Sequence, residues 1–163
     1  MSADARSDPD NATVSRWIEA FNAHDVTAIV RLYKNDAELC DSGMGRPRRG
    51  YGEIERWFRW RFSSMPTISY TPQAQRRREG GQIVVRWTAK GAGPRFFRSE
   101  RFSRSFQVEG ESCFTVRDGL IVRQRGTYDH LSVLRQIIPL LKWLPEGVVH
   151  WIYSLYLWRN GQR

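Results

Sequence analysis

Cysteine and histidine are scarce in this chain, and their scarcity narrows the chemistry it can carry. The 163 residues include two cysteines, Cys40 and Cys113, and three histidines, His24, His130 and His150. Neither set has the spacing of a metal site, and two cysteines in a chain of this length do not form a disulfide framework. We therefore expect buried thiols in a reducing cytoplasm, and a protein that uses no metal and no cofactor.

Targeting segments and long hydrophobic runs are also missing. Residues 1–11 are polar and acidic, and they lack the positive start and the apolar stretch of a signal peptide. We expect them to form a flexible N-terminus. The most apolar stretch, residues 147–158, is shorter than the about 20 residues that a membrane-spanning helix needs. The sequence therefore predicts a cytoplasmic protein that does not cross a membrane.

Lysine is scarce as well, although the chain is strongly basic. Of its 26 basic residues only Lys34, Lys90 and Lys142 are lysine, and the net charge is +9 at pH 7. Such a charge attracts phosphate. The arginines are spread along the chain, however, with residues 76–78 as the one true run, and no nucleic-acid-binding motif accompanies them. A nucleic-acid partner is therefore not expected.

What the sequence does contain is the pattern of one α+β domain. Hydrophobic residues make up 40% and charged residues 26% of the chain, as in soluble globular proteins, and the length suits a single core. The first predicted helix has Thr13 or Asp10 available as its N-cap, and the second has Asp25. Apolar residues at helical spacing predict three helices in the first half, over residues 14–23, 26–33 and 51–62.

The second half changes to an alternation of period two, which is typical of strands. After Pro66, glycine-rich breaks at residues 79–81, 91–94, 109–110 and 118–119 separate about four long strands. Asp118-Gly119 is a hairpin signal, because this pair readily adopts the positive φ of a tight turn. With a short strand at residues 36–41, these elements predict a strongly bent antiparallel sheet whose concave face packs on helices 12–24 and 51–63.

Several strings in this order resemble the ketosteroid-isomerase, SnoaL-like and nuclear transport factor 2-like superfamily. The strings are RWIEAFNAHDVTAIVRLYKNDAELCD, GYGEIERWF, VVRWT and SCFTVRDGLIV, with Tyr128-Asp129 closing the sheet. The resemblance implies a cone with one pocket, which we place at residues 12–138, followed by a C-terminal helical extension at 139–163. It implies less about activity, because the superfamily includes isomerases, polyketide cyclases, epoxide hydrolases, dehydratases and proteins that only bind or dimerise.

Compared with the isomerases, this chain retains the catalytic acid but lacks the residues that stabilise the oxyanion. Asp41 stands at the end of the first strand, where the isomerases hold their proton-shuttling carboxylate. Their oxyanion-holding tyrosine on the first helix falls at Trp17, and the protonated aspartate that assists it falls near Ser112. Of the supporting tyrosines, Tyr33 is retained and the other is replaced by Phe58. A standard steroid isomerase is therefore not expected.

Two other branches of the superfamily set limits on the reaction. The epoxide hydrolases carry an Asp-Arg-Asp set. Arg86 matches the arginine, but the carboxylates would fall at Thr88 and Gly126, which excludes that reaction. The SnoaL-type polyketide cyclases act on substrates whose C–H is already acidified by flanking carbonyls, so their reaction depends less on stabilisation by an oxyanion hole. This chain resembles the cyclases better.

Two carboxylates are the candidate catalytic residues. Asp41 is the candidate general base, and an apolar pocket would raise its pKa. The alternative is that residues 41–43 form a turn in which the aspartate binds its own backbone. Asp129 stands at the end of the last strand, where SnoaL-like cyclases often have an aspartate, and the alternative there is the N-cap of the next helix.

Two arginines and several apolar residues are the candidate ligand contacts. Arg104, at strand spacing between Phe102 and Phe106, would hold an anionic or carbonyl group in the pocket, and Arg86 would do the same. Either arginine could instead lay its stem on apolar surface and keep its head in water. The other candidates share helix faces expected to turn toward the sheet and line the pocket: Trp17, Phe21, Tyr33, Phe58 and Met65.

The C-terminal extension departs from the family pattern. Its predicted helix, residues 146–159, is apolar almost all round, with His150 and Ser154 as a narrow polar stripe. Such a helix must be covered by its own domain, by a second subunit or by a lipid interface. We expect a homodimer, because the preceding domain should already cover its own core, with a membrane surface as the weaker alternative.

Three functional hypotheses follow from the sequence. The first is a pocket protein that binds a small, largely apolar carbonyl compound and performs cofactor-free proton transfer, cyclisation or isomerisation with Asp41 as base. The second is a non-catalytic ligand-binding or dimerisation module. The third is peripheral membrane association through the C-terminal helix. The first two differ in whether Asp41 points into a pocket with a donor within reach of a ligand carbonyl.

Overall fold

A computed structural model describes residues 9–78, 80–93 and 104–162, which fold into helices packed on a sheet. The helices are α1 (Pro9–Asn22), α2 (Val26–Val30), α3 (Gly50–Ser64), α4 (His130–Ile137) and α5 (Glu146–Arg159), with a 3-10 turn at Pro139–Trp143. The strands are β1 (Tyr33–Asp41), β2 (Arg48–Arg49), β3 (Ser69–Arg77), β4 (Ile83–Ala92), β5 (Ser105–Arg117) and β6 (Leu120–Tyr128). The predicted α+β class with an extra C-terminal helix is confirmed.

The strands form one curved six-stranded sheet in the order β2-β1-β6-β5-β4-β3. The four long strands predicted after Pro66 are β3 to β6, and each pairs antiparallel with the next. The sheet is not antiparallel throughout, because β1 pairs with β6 in parallel. Asp118 and Gly119 close the β5–β6 hairpin with φ of 56° and 73°. Because β1 and β6 run parallel, their C-terminal ends lie side by side at one edge of the cavity described below.

One hydrophobic cluster joins α1 and α3 to the sheet. Residues at helical spacing on both helices turn inward, because burying their side chains removes large apolar areas from water. Trp17 of α1 is stacked on Phe21 at 5.2 Å and meets Phe114 of β5 edge-on at the same distance. Ile54 and Phe58 bring α3 into the same cluster. The helices thereby form the wall that faces the sheet across the cavity.

Three element boundaries differ from the prediction. The first helix begins at Pro9, so Thr13 lies buried inside α1, where its hydroxyl donates to the Gly119 carbonyl at 2.8 Å. The second helix ends at Val30, and Tyr33 opens β1 instead of lying on a helix face. β5 runs through Gly110 without the predicted break. The residue is glycine because the Trp87 ring occupies the space that a side chain there would need.

Two further expectations concern particular residues. Cys40 and Cys113 are free, as expected, but each is only half-buried. Phe102 and the N-terminal residues 1–8 lie outside the described residues.

α5 packs on its own domain through one face. Val149 is fully buried in a second hydrophobic cluster with Leu131, Leu134 and Leu141. The Tyr153 hydroxyl donates to the Gly43 carbonyl at 2.5 Å. Self-docking thus covers half of the helix, and the homodimer stays a prediction. Among the described residues, no helix is both long and apolar enough to cross a bilayer.

Candidate active site

A cavity with two adjoining chambers lies between α1, α3, the sheet and the C-terminal helices. We call the part that lies between α1, α3 and the strand end at Asp41 the deep chamber, and the part beside α4 and α5 the outer chamber. The chambers adjoin because five residues line both: Arg61, Ile68, Trp87, Ala89 and Tyr128. Aromatic rings of α1 and α3 wall the deep chamber, while α4 and α5 close one side of the outer chamber.

Both chambers carry polar groups. Those of the deep chamber are Asp41, Arg61, Tyr70, Ser112, Gln124 and Tyr128, and the outer chamber adds Ser64, His130, Tyr153 and Tyr156. Within the described ranges, no group of three or more histidine, cysteine, aspartate or glutamate side chains could hold a metal ion. The deep chamber therefore offers one carboxylate, one guanidinium and several hydroxyl groups to a ligand.

Asp41 forms a turn and also faces the cavity. Its Oδ1 accepts a hydrogen bond from the Gly43 N–H at 2.7 Å, which is the predicted turn. Its side chain also lines the deep chamber. Burial raises the pKa of Asp41 and prevails over the Arg61 charge and the Gly43 N–H, which act to lower it. The carboxylate is thus a stronger base than an aspartate in water.

Tyr128 links Asp41 to Arg61. Its hydroxyl oxygen accepts from both terminal nitrogens of Arg61, at 3.2 and 3.3 Å, and its hydrogen bond with Asp41 uses the hydroxyl proton. Burial raises the pKa of Tyr128 to about 12, with Asp41 adding to the rise and Arg61 opposing it. Burial acts to lower the pKa of Arg61, but Tyr128 and Asp41 more than offset it, so the arginine stays charged. The three groups form one chain of hydrogen bonds.

A glycine keeps the space beside Asp41 open. Asp41, Gly126 and Ser112 are paired across β1, β6 and β5. A Cβ atom at Gly126 would lie 3.1 Å from the Asp41 Cβ and 3.8 Å from the Ser112 Oγ. Because Gly126 has no side chain, a ligand group can lie between the carboxylate and the serine hydroxyl.

Most of the aromatic candidates lie together in the cavity. Trp17, Phe21 and Phe58 line the deep chamber with Asp41, and Met65 lines the outer chamber. Tyr33 lies behind the wall, where its hydroxyl accepts from the Trp17 Nε1 at 3.0 Å and donates to Gln124. Its hydroxyl is therefore committed to protein partners.

Three charged candidates lie away from the cavity. Asp129 is exposed and caps α4, accepting from the Ser132 N–H at 2.9 Å. Arg86 is exposed on the outer face of the sheet, because the strand alternation that turns Val85 and Trp87 inward turns it outward. Arg104 is exposed and precedes β5, so the alternation of that strand does not reach it. The expectation that these arginines enter the pocket is corrected.

Of the polar cavity residues that were not among the candidates, three had a signal in the sequence. Arg61 follows Phe58 at helical spacing on the buried face of α3, an unusual place for a charge. Tyr70 follows Ile68 at strand spacing, and Tyr128 ends the last strand beside the first. A charged or hydroxyl-bearing residue at an inward-facing position of a helix or strand is the signal that indicates a polar cavity residue.

Comparisons with known proteins agree with this fold. A model of the SnoaL-like domain matches residues 14–124. No curated protein sequence gives a significant match. A hypothetical protein with a ketosteroid isomerase-like fold from Catenulispora acidiphila, in complex with trimethylamine, has a TM-score of 0.68 at 19% identity, covering 82% of this chain and 97% of that one.

Two further solved structures are similar to the same degree. A putative SnoaL-like polyketide cyclase from Jannaschia has a TM-score of 0.68 at 16% identity, covering 84% of this chain and 96% of that one. TerC co-crystallised with polyporic acid has a TM-score of 0.67 at 17% identity, covering 80% of this chain and 98% of that one. At these identities the likeness shows the fold.

Proposed function

The chain belongs to the SnoaL-like domain family, and on that premise we propose that it binds a small, largely apolar carbonyl compound and transfers a proton without a cofactor. The observation that carries this proposal is the position of Asp41, a carboxylate of raised pKa beside open space in an aromatic chamber. Structural similarity to a putative polyketide cyclase and to a protein crystallised with polyporic acid supports it.

The proposed reaction begins at the carbon next to the ligand carbonyl. Asp41 removes a proton from that carbon, and the electron pair of the C–H bond moves onto the carbonyl oxygen to give an enolate. In an isomerisation the Asp41 carboxyl returns the proton to another carbon. In a cyclisation the enolate carbon attacks a second carbonyl of the same molecule, and the new alkoxide takes up the proton.

Arg61 and Tyr128 oppose the rise in the pKa of Asp41 that burial causes. Without them, burial alone would drive Asp41 further toward its neutral form. The hydrogen bond from Tyr128 favours the carboxylate, and the Arg61 charge acts in the same direction. The pKa of Asp41 is therefore raised, but less than burial alone would raise it, and a raised pKa makes the carboxylate a stronger general base.

The outer chamber supports an apolar ligand body. Its walls carry side chains from α3, the sheet and α4, with few polar atoms between them: Trp60, Met65, Phe106, Val108, Val133 and Leu134. A ligand with its carbonyl end in the deep chamber would place its hydrocarbon part here, where apolar burial favours binding.

Deuterium exchange tests the proposal with a defined probe. The probe is 2-tetralone, an apolar bicyclic ketone whose C1 hydrogens exchange in heavy water and are followed by NMR. We expect the protein to accelerate exchange and Asp41→Asn to lower the rate about 10²–10⁴-fold. Asp129→Asn is the matched control, because Asp129 is exposed and asparagine also caps helices. Equal rates for Asp41→Asn and the unaltered protein would overturn the catalytic role.

A non-catalytic binding module is the second candidate. It is favoured by the two hydrogen bonds that already engage the Asp41 carboxylate, from the Gly43 N–H and from Tyr128. In that case 2-tetralone or polyporic acid binds in calorimetry, while the unaltered protein leaves the exchange rate of 2-tetralone at its buffer value. If neither probe binds, the carbonyl-ligand proposal itself is wrong.

A further inference from the structure

Tyr70 carries a buried hydroxyl without a partner. The residue is 4% exposed, it lines the deep chamber, and its hydroxyl oxygen has no hydrogen-bond partner. A buried hydroxyl that gives up water without gaining a protein partner costs free energy. The ring is held in place from two sides, edge-on to Trp17 at 5.6 Å and against Trp87 at 5.1 Å. The hydroxyl is therefore fixed and available.

Ser112 offers a second donor beside it. The Trp87 Nε1 donates to the Ser112 Oγ at 3.0 Å, and the Ser112 hydroxyl lies close enough to the Tyr70 hydroxyl to affect it, so its proton can go either to Tyr70 or to a ligand. Burial raises the pKa of Tyr70, and the nearby Ser112 opposes this rise without cancelling it. Both hydroxyls therefore carry their protons at neutral pH.

We propose that the hydroxyls of Tyr70 and Ser112 form a subsite for the carbonyl oxygen of the ligand. The ligand would take the protons of both hydroxyls, and its adjoining carbon would lie over Gly126, on the side that faces Asp41. This inference rests on the proposed function. It supplies donors for the enolate oxygen at the point where the electron pair arrives, in place of the first-helix tyrosine that is Trp17 here.

The infrared carbonyl band of bound 2-tetralone reads these hydrogen bonds directly. A hydrogen bond to the oxygen weakens the C=O bond, so the band lies at lower frequency in the subsite than in a hydrocarbon solvent. We expect Tyr70→Phe to shift the band of the bound probe toward the hydrocarbon value. We also expect exchange to slow about 10²-fold or more, as when one oxyanion donor is removed.

Tyr33→Phe is the matched control. Tyr33 is equally buried, but its hydroxyl bonds with Trp17 and Gln124 instead of facing the ligand. We expect Tyr33→Phe to lower the melting temperature and leave the carbonyl band in place. Tyr70→Phe should leave the melting temperature unchanged or raise it, because it removes a hydroxyl that has no partner.

The outcomes separate the subsite from the proposed function. An unchanged band in both Tyr70→Phe and Ser112→Ala, with exchange still dependent on Asp41, would overturn the subsite and leave the proposed function standing. Loss of the Asp41 dependence with a band that still shifts in Tyr70→Phe would overturn the base and leave the subsite standing. A large fall in the melting temperature of Tyr70→Phe would show a structural role and count against the subsite.

An independent surface lies on the C-terminal extension. Six large apolar side chains are exposed on α5 and the 3-10 turn before it, and we call this set the tryptophan face: Leu140, Trp143, Val148, Trp151, Leu155 and Trp158. The four on α5 share one helix face, because they are three or four residues apart. Trp143 is 87%, Trp151 64% and Trp158 60% exposed. The other side of α5 is already buried against its own domain. The tryptophan face therefore needs another occupant.

We infer that the tryptophan face docks on an anionic membrane surface. Tryptophan is enriched at membrane–water interfaces, where its apolar ring is buried and its N–H reaches water. A helix with such a face lies in the plane of the bilayer surface. The net charge of +9 attracts anionic lipid, and Lys142 and Arg159 flank the face. The same charge repels a second copy, which favours lipid over the homodimer.

Vesicle co-sedimentation tests this inference. The vesicles contain phosphatidylcholine with or without phosphatidylserine, and the variant is Trp143→Ser with Trp151→Ser and Trp158→Ser. We expect the unaltered protein to sediment with the anionic vesicles and the triple variant to stay in solution with an unchanged melting temperature. Tyr51→Ser is the control, since Tyr51 is 40% exposed on α3. A dimer in gel filtration that the triple variant abolishes, without sedimentation, would overturn the lipid assignment.

Discussion

Tyr153 of α5 donates a 2.5 Å hydrogen bond to the carbonyl oxygen of Gly43, the residue whose N–H binds the Asp41 carboxylate. The C-terminal helix thus fixes the turn that carries the candidate base. Tyr153 and Tyr156 also line the outer chamber. The extension is therefore part of the site, although it lies beyond the residues that match the family model.

Tyr153→Phe should loosen this turn without emptying the space that the ring fills. We expect the free energy of unfolding to fall by about 1 kcal/mol, the usual contribution of one hydrogen bond. The exchange rate of 2-tetralone should fall with it, because Asp41 would be held less firmly. Urea denaturation and NMR exchange measure the two effects. Tyr51→Phe, on an exposed tyrosine, should change neither.

Gly126→Ala should close the space between Asp41 and Ser112. The new Cβ would lie 3.1 Å from the Asp41 Cβ, closer than ordinary contact, and it would project into the deep chamber. We expect about tenfold weaker binding of 2-tetralone in calorimetry, since one carbon atom in a fitted pocket has an effect of this size. Gly147→Ala is the control, because nothing lies within 4 Å of its Cβ position. Unchanged affinity in Gly126→Ala would show that the ligand lies elsewhere.

Asp41→Asn should stabilise the protein at neutral pH. The folded-state pKa of Asp41 is raised, so the folded state binds the proton more tightly than the unfolded state. The contribution of Asp41 to stability is therefore present below its unfolded pKa of about 3.9 and is lost as the pH rises through the folded-state pKa. Urea denaturation from about pH 4 to about pH 8 should show the variant gaining on the unaltered protein as the pH rises. A constant difference across this range would contradict the raised pKa.

The pH dependence of the exchange reaction follows from the same shift. If Asp41 is the base, the rate rises as the carboxyl loses its proton, and the midpoint lies above the ordinary value of about 3.9. The profile of kcat/KM against pH should therefore show an acid limb that Asp41→Asn lacks. A midpoint at or below the ordinary value would indicate a solvated carboxylate.

The sequence predicted what depends on periodicity. The apolar spacing of Trp17 and Phe21 on α1 and the four long strands specify which faces are buried, and the structure agrees. What could not be predicted depends on contacts between distant segments. Tyr128 and Arg61 meet across 67 residues of sequence, and Tyr153 meets Gly43 across 110. No local pattern encodes such pairs, because a cavity is made by the shapes of packed side chains.

The charged candidates show where local sequence patterns predict a residue's position better than a comparison with related enzymes does. Arg86 faces outward because it alternates along β4 with Val85 and Trp87, which face inward, and the comparison of Arg86 with the epoxide hydrolases gave no information about its burial. Asp129 follows its local signal, the N-cap. For both of these residues the local rule prevailed.

Gly110 gives the sharpest test of the packing behind the site. A Cβ atom there would lie 2.5 Å from two ring atoms of Trp87 and 2.7 Å from the Thr127 carbonyl oxygen, and neither an indole nor a strand backbone yields easily. We expect Gly110→Ala to lower the free energy of unfolding by about 3 kcal/mol, the upper range for overpacking. Because the indole also donates to Ser112, displacing it should shift the carbonyl band of bound 2-tetralone. Gly52→Ala in α3, where the Cβ would lie 3.6 Å from an arginine nitrogen, should instead gain about 0.5–1 kcal/mol. Urea denaturation of both variants measures the difference, and a Gly110→Ala protein as stable as Gly52→Ala would show that Trp87 does not lie over β5.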